Sequence, residues 1–233
     1  MRLAIMQPYF MPYIGYFQLI NSVDEFVVYD NIEFTKKGWI NRNRILVNGN
    51  DLTITLPLKK DSDYLNIVER RLADTWVSEK KKMLNKIAES YRRAPFFESA
   101  FEVIERCILF EEDNLFNFIY HSIKLVNEYL DILTRTMVSS TLLIDHSLRA
   151  EKKIIEICKS LHANNYINPI GGSELYSKDI FKKEGIELQF LKSGDISYQQ
   201  FNNKFIPWLS IIDVMMFNPK AEIKKFLQIK ALI

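Results

Sequence analysis

The sequence predicts an α/β fold: a Rossmann-like parallel-sheet core with a β-hairpin excursion and a helical insertion. Three observations predict it. Strand-like and helical segments alternate, a strand–loop–helix–strand unit opens the chain, and one long tract is purely helical. Alternating strands and helices favour a parallel sheet, because parallel neighbours need a long crossover between them. We expect one domain over residues 1–233, with the helical insertion at about residues 75–131.

The first elements read as the start of a βαβ unit. Arg2–Gln7 is a short apolar strand, and a proline-punctuated aromatic loop leads from it into a helix around Tyr16–Ile20. Glu25–Asp30 is a second strand, apolar and β-branched, that ends in a turn signal. The loop after the first strand of such a unit is where open parallel sheets bind ligands.

A β-hairpin is predicted next. Arg42–Val47 and Leu52–Leu58 are strand-like, and the Asn48-Gly49 pair between them is a strong short-range hairpin signal. Its strands are joined too tightly to be parallel neighbours, so the hairpin is an excursion from the main sheet.

The tract from Trp76 to about Leu130 has helical periodicity. Breaks at Ala94-Pro95 and at Glu111–Asn114 divide it into three helices, which we expect to be amphipathic and packed together.

After this tract, strand-like segments again alternate with helices, the strands being Thr136–Leu143, Asn165–Pro169 and Ile186–Leu191. Ser147 is the expected N-cap of the first helix between them and Ser173 that of the second, which Gly185 ends. Two short helices close the pattern.

Composition excludes several classes of function. Lys and Arg number 31 and Asp and Glu 29, so the net charge of +2 argues against a nucleic-acid partner. No apolar segment approaches the ~20 residues that span a bilayer, and Met1 leads directly into a strand-like segment, so we expect neither membrane insertion nor a signal peptide. The two cysteines, Cys107 and Cys158, lie in apolar helical patterns, which indicates buried thiols and a cytoplasmic location.

The loop after the first strand is the first candidate site, through Gln7, Tyr13, Gly15 and Tyr16. A helix start offers free backbone N–H groups and a positive dipole end to an anionic ligand. The alternative is a proline-stiffened aromatic loop that only caps the core.

A cationic segment from Lys36 to Arg44 is the second candidate. Arg42 and Arg44 share one face of an extended strand and suit phosphate or carboxylate recognition, whereas Asn41 faces the other way. The same pattern also fits a solvated edge strand protected by charge.

Two further segments carry polar candidates. Gly171, Gly172 and Ser173 fit an anion-binding turn or a plain turn. Ser210 and Asp213 lie three residues apart in an apolar helix. This spacing fits either a buried pair with a specific role or a Ser–Asp contact that is only structural. The three histidines show no metal-ligand spacing, so we predict no metal site.

Five sequence blocks are distinctive, namely QPYFMPYIGYFQLI (Gln7–Ile20), WINRNRI (Trp39–Ile45), LTITLPL (Leu52–Leu58), YINPIGGSELY (Tyr166–Tyr176) and FIPWLSIIDVMMFN (Phe205–Asn218). These blocks span nearly the whole chain and resemble those of the WbqC-like family, in the family's order. The family is associated with bacterial O-antigen and other surface-polysaccharide gene sets. The resemblance therefore implies a role in polysaccharide biosynthesis.

The order of first strand, PYIGY loop and helix is also similar to the entry of nucleotidylyltransferases and pantothenate-synthetase-like ligases. Their HxGH motif holds ATP phosphates, and Tyr13, Gly15 and Tyr16 stand at its positions here. Tyrosine donates hydrogen bonds but does not become cationic near pH 7. Under this resemblance the positive charge would come from Lys36, Lys37, Arg42 or Arg44.

Together the resemblances imply a cytoplasmic enzyme that modifies a nucleotide-linked amino sugar, by acyl or aminoacyl transfer to its amine. Asp30 and Asp213 are the candidates for orienting the amine or acting as base, and Tyr16 is a third catalytic candidate. The expected substrate-binding residues are Gln7, Tyr13, Gly15, Asn41, Arg42, Arg44, Gly171, Gly172, Ser173, Tyr176 and Ser210.

Two alternatives stay open at this point. One is an ATP-dependent nucleotidyl-transfer or adenylate-forming ligase activity, which would require ATP with Mg²⁺. The other is a non-catalytic binding partner of the polysaccharide machinery. The residues themselves assign no cofactor, acyl donor, sugar or oligomeric state.

Overall fold

The computed structural model describes all residues, 1–233. The strands are β1 (Arg2–Met6), β2 (Glu25–Val28), β3 (Arg42–Val47), β4 (Asn50–Thr55), β5 (Arg135–Val138), β6 (Asn165–Pro169), β7 (Glu187–Ser193) and β8 (Lys230–Leu232). The helices are α1 (Ile14–Ile20), α2 (Trp76–Tyr91), α3 (Phe97–Ile108), α4 (Leu115–Tyr129), α5 (Ala150–Ser160), α6 (Lys178–Lys183), α7 (Ile211–Phe217) and α8 (Lys220–Phe226). No helix has the length and apolar character that a bilayer crossing requires.

Six strands form one sheet in the order β5-β2-β1-β6-β7-β8. All neighbours are parallel except β8, which runs antiparallel to β7. Counted within the sheet this is the 3-2-1-4-5-6 order of doubly wound folds, and the strand order reverses between β1 and β6. The prediction of a Rossmann-like parallel core is therefore confirmed.

Side chains alternate across the sheet and build a core on each face. Ala4, Phe26 and Ile167 point into a cluster of 51 buried residues, shared with α1 to α4, α7 and α8. Their strand neighbours, such as Ile5 and Val27, point into a cluster of 14 buried residues shared with α5 and α6. Both faces are covered by helices, which is why the strands read as apolar runs rather than as alternating patterns.

The hairpin is confirmed as a separate two-stranded sheet of β3 and β4. Asn48 and Gly49 have φ of 49° and 79°, the left-handed conformations of a type I′ turn. The turn pairs Val47 directly with Asn50, so β4 begins two residues earlier than its apolar pattern indicates.

The helical tract folds as three helices, α2 to α4, with breaks where the sequence predicts them. The Asn114 side chain caps α4 by accepting a hydrogen bond from the Asn117 N–H at 3.0 Å. The three helices share their core with one face of the sheet. The assignment of residues 1–233 to one domain with an insertion at about 75–131 stays a prediction.

Two predicted helix caps are wrong. The helix α5 begins at Ala150, because Ser147 is held in a turn in which its N–H and hydroxyl both donate to the Asp145 carboxylate. Ser173 ends a short 3₁₀ turn and does not begin a helix, and α6 starts at Lys178. Gly185 does end α6, with φ of 74°.

Both cysteines are buried, as predicted. Burial raises the pKa of the Cys107 and Cys158 thiols to about 12. A thiol reacts as its thiolate, so a disulfide reagent such as DTNB should label neither cysteine in the native protein at pH 8 and both in guanidinium. Rapid labelling of either one in the native protein would contradict this burial.

Candidate functional site

A cavity of about 840 Å³, which we call the edge cavity, opens at the carboxyl ends of β1 and β6. Its walls come from the loop after β1, the loop after β6, the end of β7, and two tryptophans, Trp39 and Trp208. It lies where the strand order reverses, the position at which doubly wound folds bind their ligands. Its volume is in the range of small-molecule sites.

The loop after β1 forms one wall and is fixed from behind. The Asn43 side-chain amide donates to the Phe10 carbonyl at 3.1 Å and to the Met11 carbonyl at 2.8 Å. The buried Tyr16 hydroxyl donates to the Gln7 carbonyl at 3.1 Å. These bonds satisfy backbone groups that a buried loop would otherwise leave unpaired, and they hold the loop in place.

Two glycines allow close approach in the walls. A Cβ at Gly15 would lie 2.2 Å from the Tyr13 ring and 2.5 Å from the Ser193 hydroxyl oxygen. A Cβ at Gly172 would lie 2.1 Å from the Asn168 amide nitrogen, whereas one at Gly171 would meet nothing within 4 Å. A Cβ at Gly15 or Gly172 would therefore displace a side chain of the lining, whereas one at Gly171 would displace nothing.

Four tyrosines, Tyr9, Tyr13, Tyr29 and Tyr176, contribute to the lining. Burial raises the pKa of each hydroxyl, and that of Tyr29 to about 12. All four keep their proton near pH 7, so the cavity offers neutral hydroxyl donors and aromatic faces. Aromatic faces of this kind suit the planar base or sugar face of a ligand.

Charge in the edge cavity is confined to two residues, Lys192 and Asp195, at and after the end of β7. No group of three or more His, Cys, Asp or Glu side chains is placed to hold a metal ion. Sequence reasoning missed Lys192 and Asp195. The signal that could have found them is their position after the IELQFL strand, since parallel strands end at a common edge.

Six of the sequence-predicted residues come together in this lining, namely Gln7, Tyr13, Gly15, Gly171, Gly172 and Tyr176. Ser173 is exposed and follows them directly. Asn168, Ser193 and Trp208 also line the cavity and were not predicted.

The predicted arginines shape the wall instead of lining the edge cavity. The Arg42 guanidinium donates to the carbonyls of Lys37 and Gly38, and both Arg42 and Arg44 lie 5.8 Å from the centre of the Trp39 ring. Arg44 also pairs with Asp51 at 3.1 Å. Their assignment as anion ligands stays a prediction.

Asn41 and Ser210 make structural hydrogen bonds. The buried Asn41 amide donates to the Leu56 carbonyl at 2.8 Å, inside the hairpin. The Ser210 hydroxyl donates to the Met11 carbonyl at 2.7 Å and accepts from the Ile212 N–H, so it caps α7 and holds the loop after β1. Neither side chain lines the edge cavity.

Asp30, a predicted catalytic residue, is fully buried behind the cavity wall. Its carboxylate accepts from the Ser139 hydroxyl at 2.7 Å, the Ser140 N–H at 2.9 Å and the Ser140 hydroxyl at 2.6 Å. These bonds tie the end of β2 to the end of β5. Neither Asp30 nor Tyr16 lines the edge cavity.

Asp213 is equally buried and forms the centre of a polar cluster. Its carboxylate accepts from the Tyr91 hydroxyl at 2.8 Å, the Tyr198 hydroxyl at 2.7 Å and the Gln200 amide at 2.7 Å. Burial raises the pKa of Asp213, and the three hydrogen bonds oppose that rise. The cluster fixes the segment between β7 and α7, the same segment that carries Trp208.

Comparison with known proteins confirms the family that the five sequence blocks indicate. The uncharacterized protein Rv1507c of Mycobacterium tuberculosis is 28% identical over an aligned length of 233 residues. The match covers 97% of this chain and 97% of that protein. No solved structure gives a significant match. The WbqC-like protein family model matches residues 7–225. That span includes the loop after β1, the hairpin, the edge cavity and the Asp213 cluster. The chain belongs to the WbqC-like protein family.

Proposed function

We propose that this protein is a biosynthetic enzyme of bacterial surface polysaccharide. It binds a nucleotide-linked amino sugar in the edge cavity and transfers an acyl or aminoacyl group to the sugar amine. Family membership is consistent with a polysaccharide-related role. The observation that carries the proposal is the edge cavity itself, about 840 Å³ at the point where the strand order reverses.

The lining supports a ligand of this class. Tyrosine and tryptophan faces can stack on a base or sugar ring. The turn at Gly171 and Gly172 carries no side chains, which gives a diphosphate close access to backbone, and Lys192 supplies one positive charge. Asn168 and Gln7 provide amide groups that can fix the orientation of sugar hydroxyls.

The reaction needs little from the protein beyond positioning and proton transfer. The amine nitrogen attacks the donor carbonyl carbon, a C–N bond forms, and the bond to the leaving group breaks with its electron pair. One amine proton passes to a base. In this proposal Asp30 and Tyr16 hold the cavity walls, and Asp213 holds the segment that carries Trp208.

Gly172→Ala and Gly171→Ala form a matched pair that tests the binding site. We expect Gly172→Ala to weaken binding of a UDP- or dTDP-linked amino sugar by about 10-fold or more, a loss of about 1.4 kcal/mol. The added methyl group would displace the Asn168 amide, which lies 2.1 Å from its position. Gly171→Ala should bind like wild type, since its methyl group meets open space.

Isothermal titration calorimetry measures both affinities. Equal losses in the two variants, or no binding of any amino-sugar nucleotide to wild type, would contradict the proposal. Tight binding of ATP with Mg²⁺ in its place, with pyrophosphate release, would favour the ligase alternative.

A further inference from the structure

A second cavity of about 330 Å³, which we call the side chamber, lies next to the edge cavity. It is bounded by the segment between β7 and α7 and is mainly apolar, since eight of its 13 lining residues are hydrophobic. Tyr198 and Phe205 form part of its wall, with their rings in edge contact at 5.1 Å. The Tyr198 hydroxyl is anchored on Asp213, so this wall is held firmly.

The two cavities share a partition of four residues, Tyr13, Ser193, Asp195 and Trp208. The Tyr13 and Trp208 rings are in edge contact, with centres 5.8 Å apart. Trp208 has φ of 61°, a left-handed conformation that a bulky residue rarely adopts. Backbone strain that the surroundings hold in place is found preferentially at ligand sites.

The surroundings of Trp208 do hold it. The Arg44 guanidinium donates to the Trp208 carbonyl at 3.3 Å, and the Ser210 N–H donates to the Arg44 carbonyl at 2.8 Å. The partition is therefore a braced feature of the fold and not a chance contact between exposed rings.

Asp195 is the one charged residue of this partition and the one charged residue that lines the side chamber. It is exposed and takes part in none of the ion pairs within the chain. A free carboxylate at the boundary between the two cavities is placed to act on a group that bridges them.

We propose that the side chamber receives the apolar chain of an acyl thioester donor, and that Asp195 is the catalytic base at the junction. This inference rests on the proposed function and specifies its donor. The amine enters from the edge cavity and attacks the thioester carbonyl, a C–N bond forms, and the C–S bond breaks with its electrons on sulfur. Asp195 accepts the amine proton and passes it to the departing thiolate, which leaves as a thiol.

An acyl chain-length series tests the chamber. With acetyl-, butyryl- and hexanoyl-coenzyme A as donors and a UDP-linked amino sugar as acceptor, kcat/KM should rise by about 4-fold for each methylene that enters the chamber. The rise should stop when the chamber is full. A rate that does not depend on chain length, or that favours an aminoacyl donor, overturns the assignment.

Ser197→Phe and Gln199→Phe provide the matched control. Ser197 is exposed and lines the side chamber only, whereas Gln199 is exposed two residues away and lines neither cavity. Ser197→Phe should remove the gain for hexanoyl-coenzyme A, by about 10-fold or more, without changing the Kd of the amino-sugar nucleotide. Gln199→Phe should behave like wild type. Equal behaviour of the two variants overturns the proposal.

Asp195→Asn tests the base. It should lower kcat by about 10²- to 10⁴-fold, with the Kd of the amino-sugar nucleotide nearly unchanged. Asp195→Glu should restore part of kcat. If the amino-sugar nucleotide binds and any of these three tests fails, this inference is wrong while the proposed binding function stands. If no amino-sugar nucleotide binds at all, the proposed function itself is wrong.

Discussion

Asp213→Ala should lower the free energy of unfolding by about 3 kcal/mol or more, which is large for a single substitution. The change removes the shared acceptor of three donors, the hydroxyls of Tyr91 and Tyr198 and the amide of Gln200. A buried donor left without an acceptor costs about 1–3 kcal/mol. Urea unfolding of the variant and the wild type at pH 7 measures the difference.

The loss of stability should be larger than that of one contact, because the cluster around Asp213 joins four parts of the fold. The Tyr91 hydroxyl also accepts from the Leu46 N–H at 2.7 Å, so α2, the hairpin, the β7–α7 segment and α7 meet here. Tyr91→Phe removes one bond of this cluster and should cost about 1 kcal/mol. An Asp213→Ala loss no larger than that of Tyr91→Phe would contradict a central role for the carboxylate.

Asp213→Asn removes the titrating group while keeping the shape of the side chain. Burial raises the pKa of Asp213, so the folded state binds this proton more tightly than the unfolded state does. The resulting stabilisation is fully present below the unfolded pKa of about 4 and is lost as pH rises through the folded pKa. Wild type should therefore be more stable, relative to Asp213→Asn, at pH 4 than at pH 7. A difference that grows with pH would contradict this sign.

Gly15→Ala should weaken amino-sugar nucleotide binding by about 10-fold or more and give no gain in stability. Alanine inside a helix is normally preferred to glycine by about 1 kcal/mol. Here its methyl group would lie 2.2 Å from the Tyr13 ring, so the ring and the Ser193 hydroxyl must move. Both belong to the lining of the edge cavity and to its partition from the side chamber.

Calorimetry and urea unfolding measure both consequences of Gly15→Ala, with Gly171→Ala as the control for an added methyl group in open space. A Gly15→Ala variant that is about 1 kcal/mol more stable and binds normally would show that binding does not depend on the position of the Tyr13 ring.

Much of the fold could be predicted because it follows from local patterns. Apolar strand segments between helices predict a parallel sheet, and Asn48-Gly49 supplies the two left-handed residues that a type I′ turn needs. The helix caps at Ser147 and Ser173 could not be predicted as reliably. A nearby carboxylate, Asp145, bonds Ser147 in a competing turn.

The site was predictable only where chain position fixes it. Gln7 directly follows β1, and Gly171 and Gly172 lie in the turn after β6, so the rule for parallel strands places them at one edge. Asp30 reads as a free carboxylate in the sequence, but its partner Ser139 lies 109 residues away along the chain. Local sequence does not show which distant donors will surround a carboxylate. A buried, hydrogen-bonded carboxylate and one that lines a cavity therefore cannot be told apart from the local sequence.

The polar residues of the family-like blocks illustrate the same point. Arg44 and Ser210 were candidates for ligand contact, yet both bond to the backbone of a wall segment, Arg44 to Trp208 and Ser210 to the loop after β1. Asn43 bonds to the same loop. They support the cavity by positioning its walls. Asp195 and Trp208 do line the cavity, but they carry no local signal beyond lying just after β7 and just before α7.

A crystal structure of the protein grown with a UDP-linked amino sugar tests the central claim most directly. We expect the sugar nucleotide in the edge cavity, with its diphosphate beside Gly171, Gly172 and Lys192 and its amine facing Asp195. A ligand bound outside the edge cavity by the cationic side chains of Lys36, Lys37, Arg42 and Arg44, or one whose amine points away from the partition, would contradict the account.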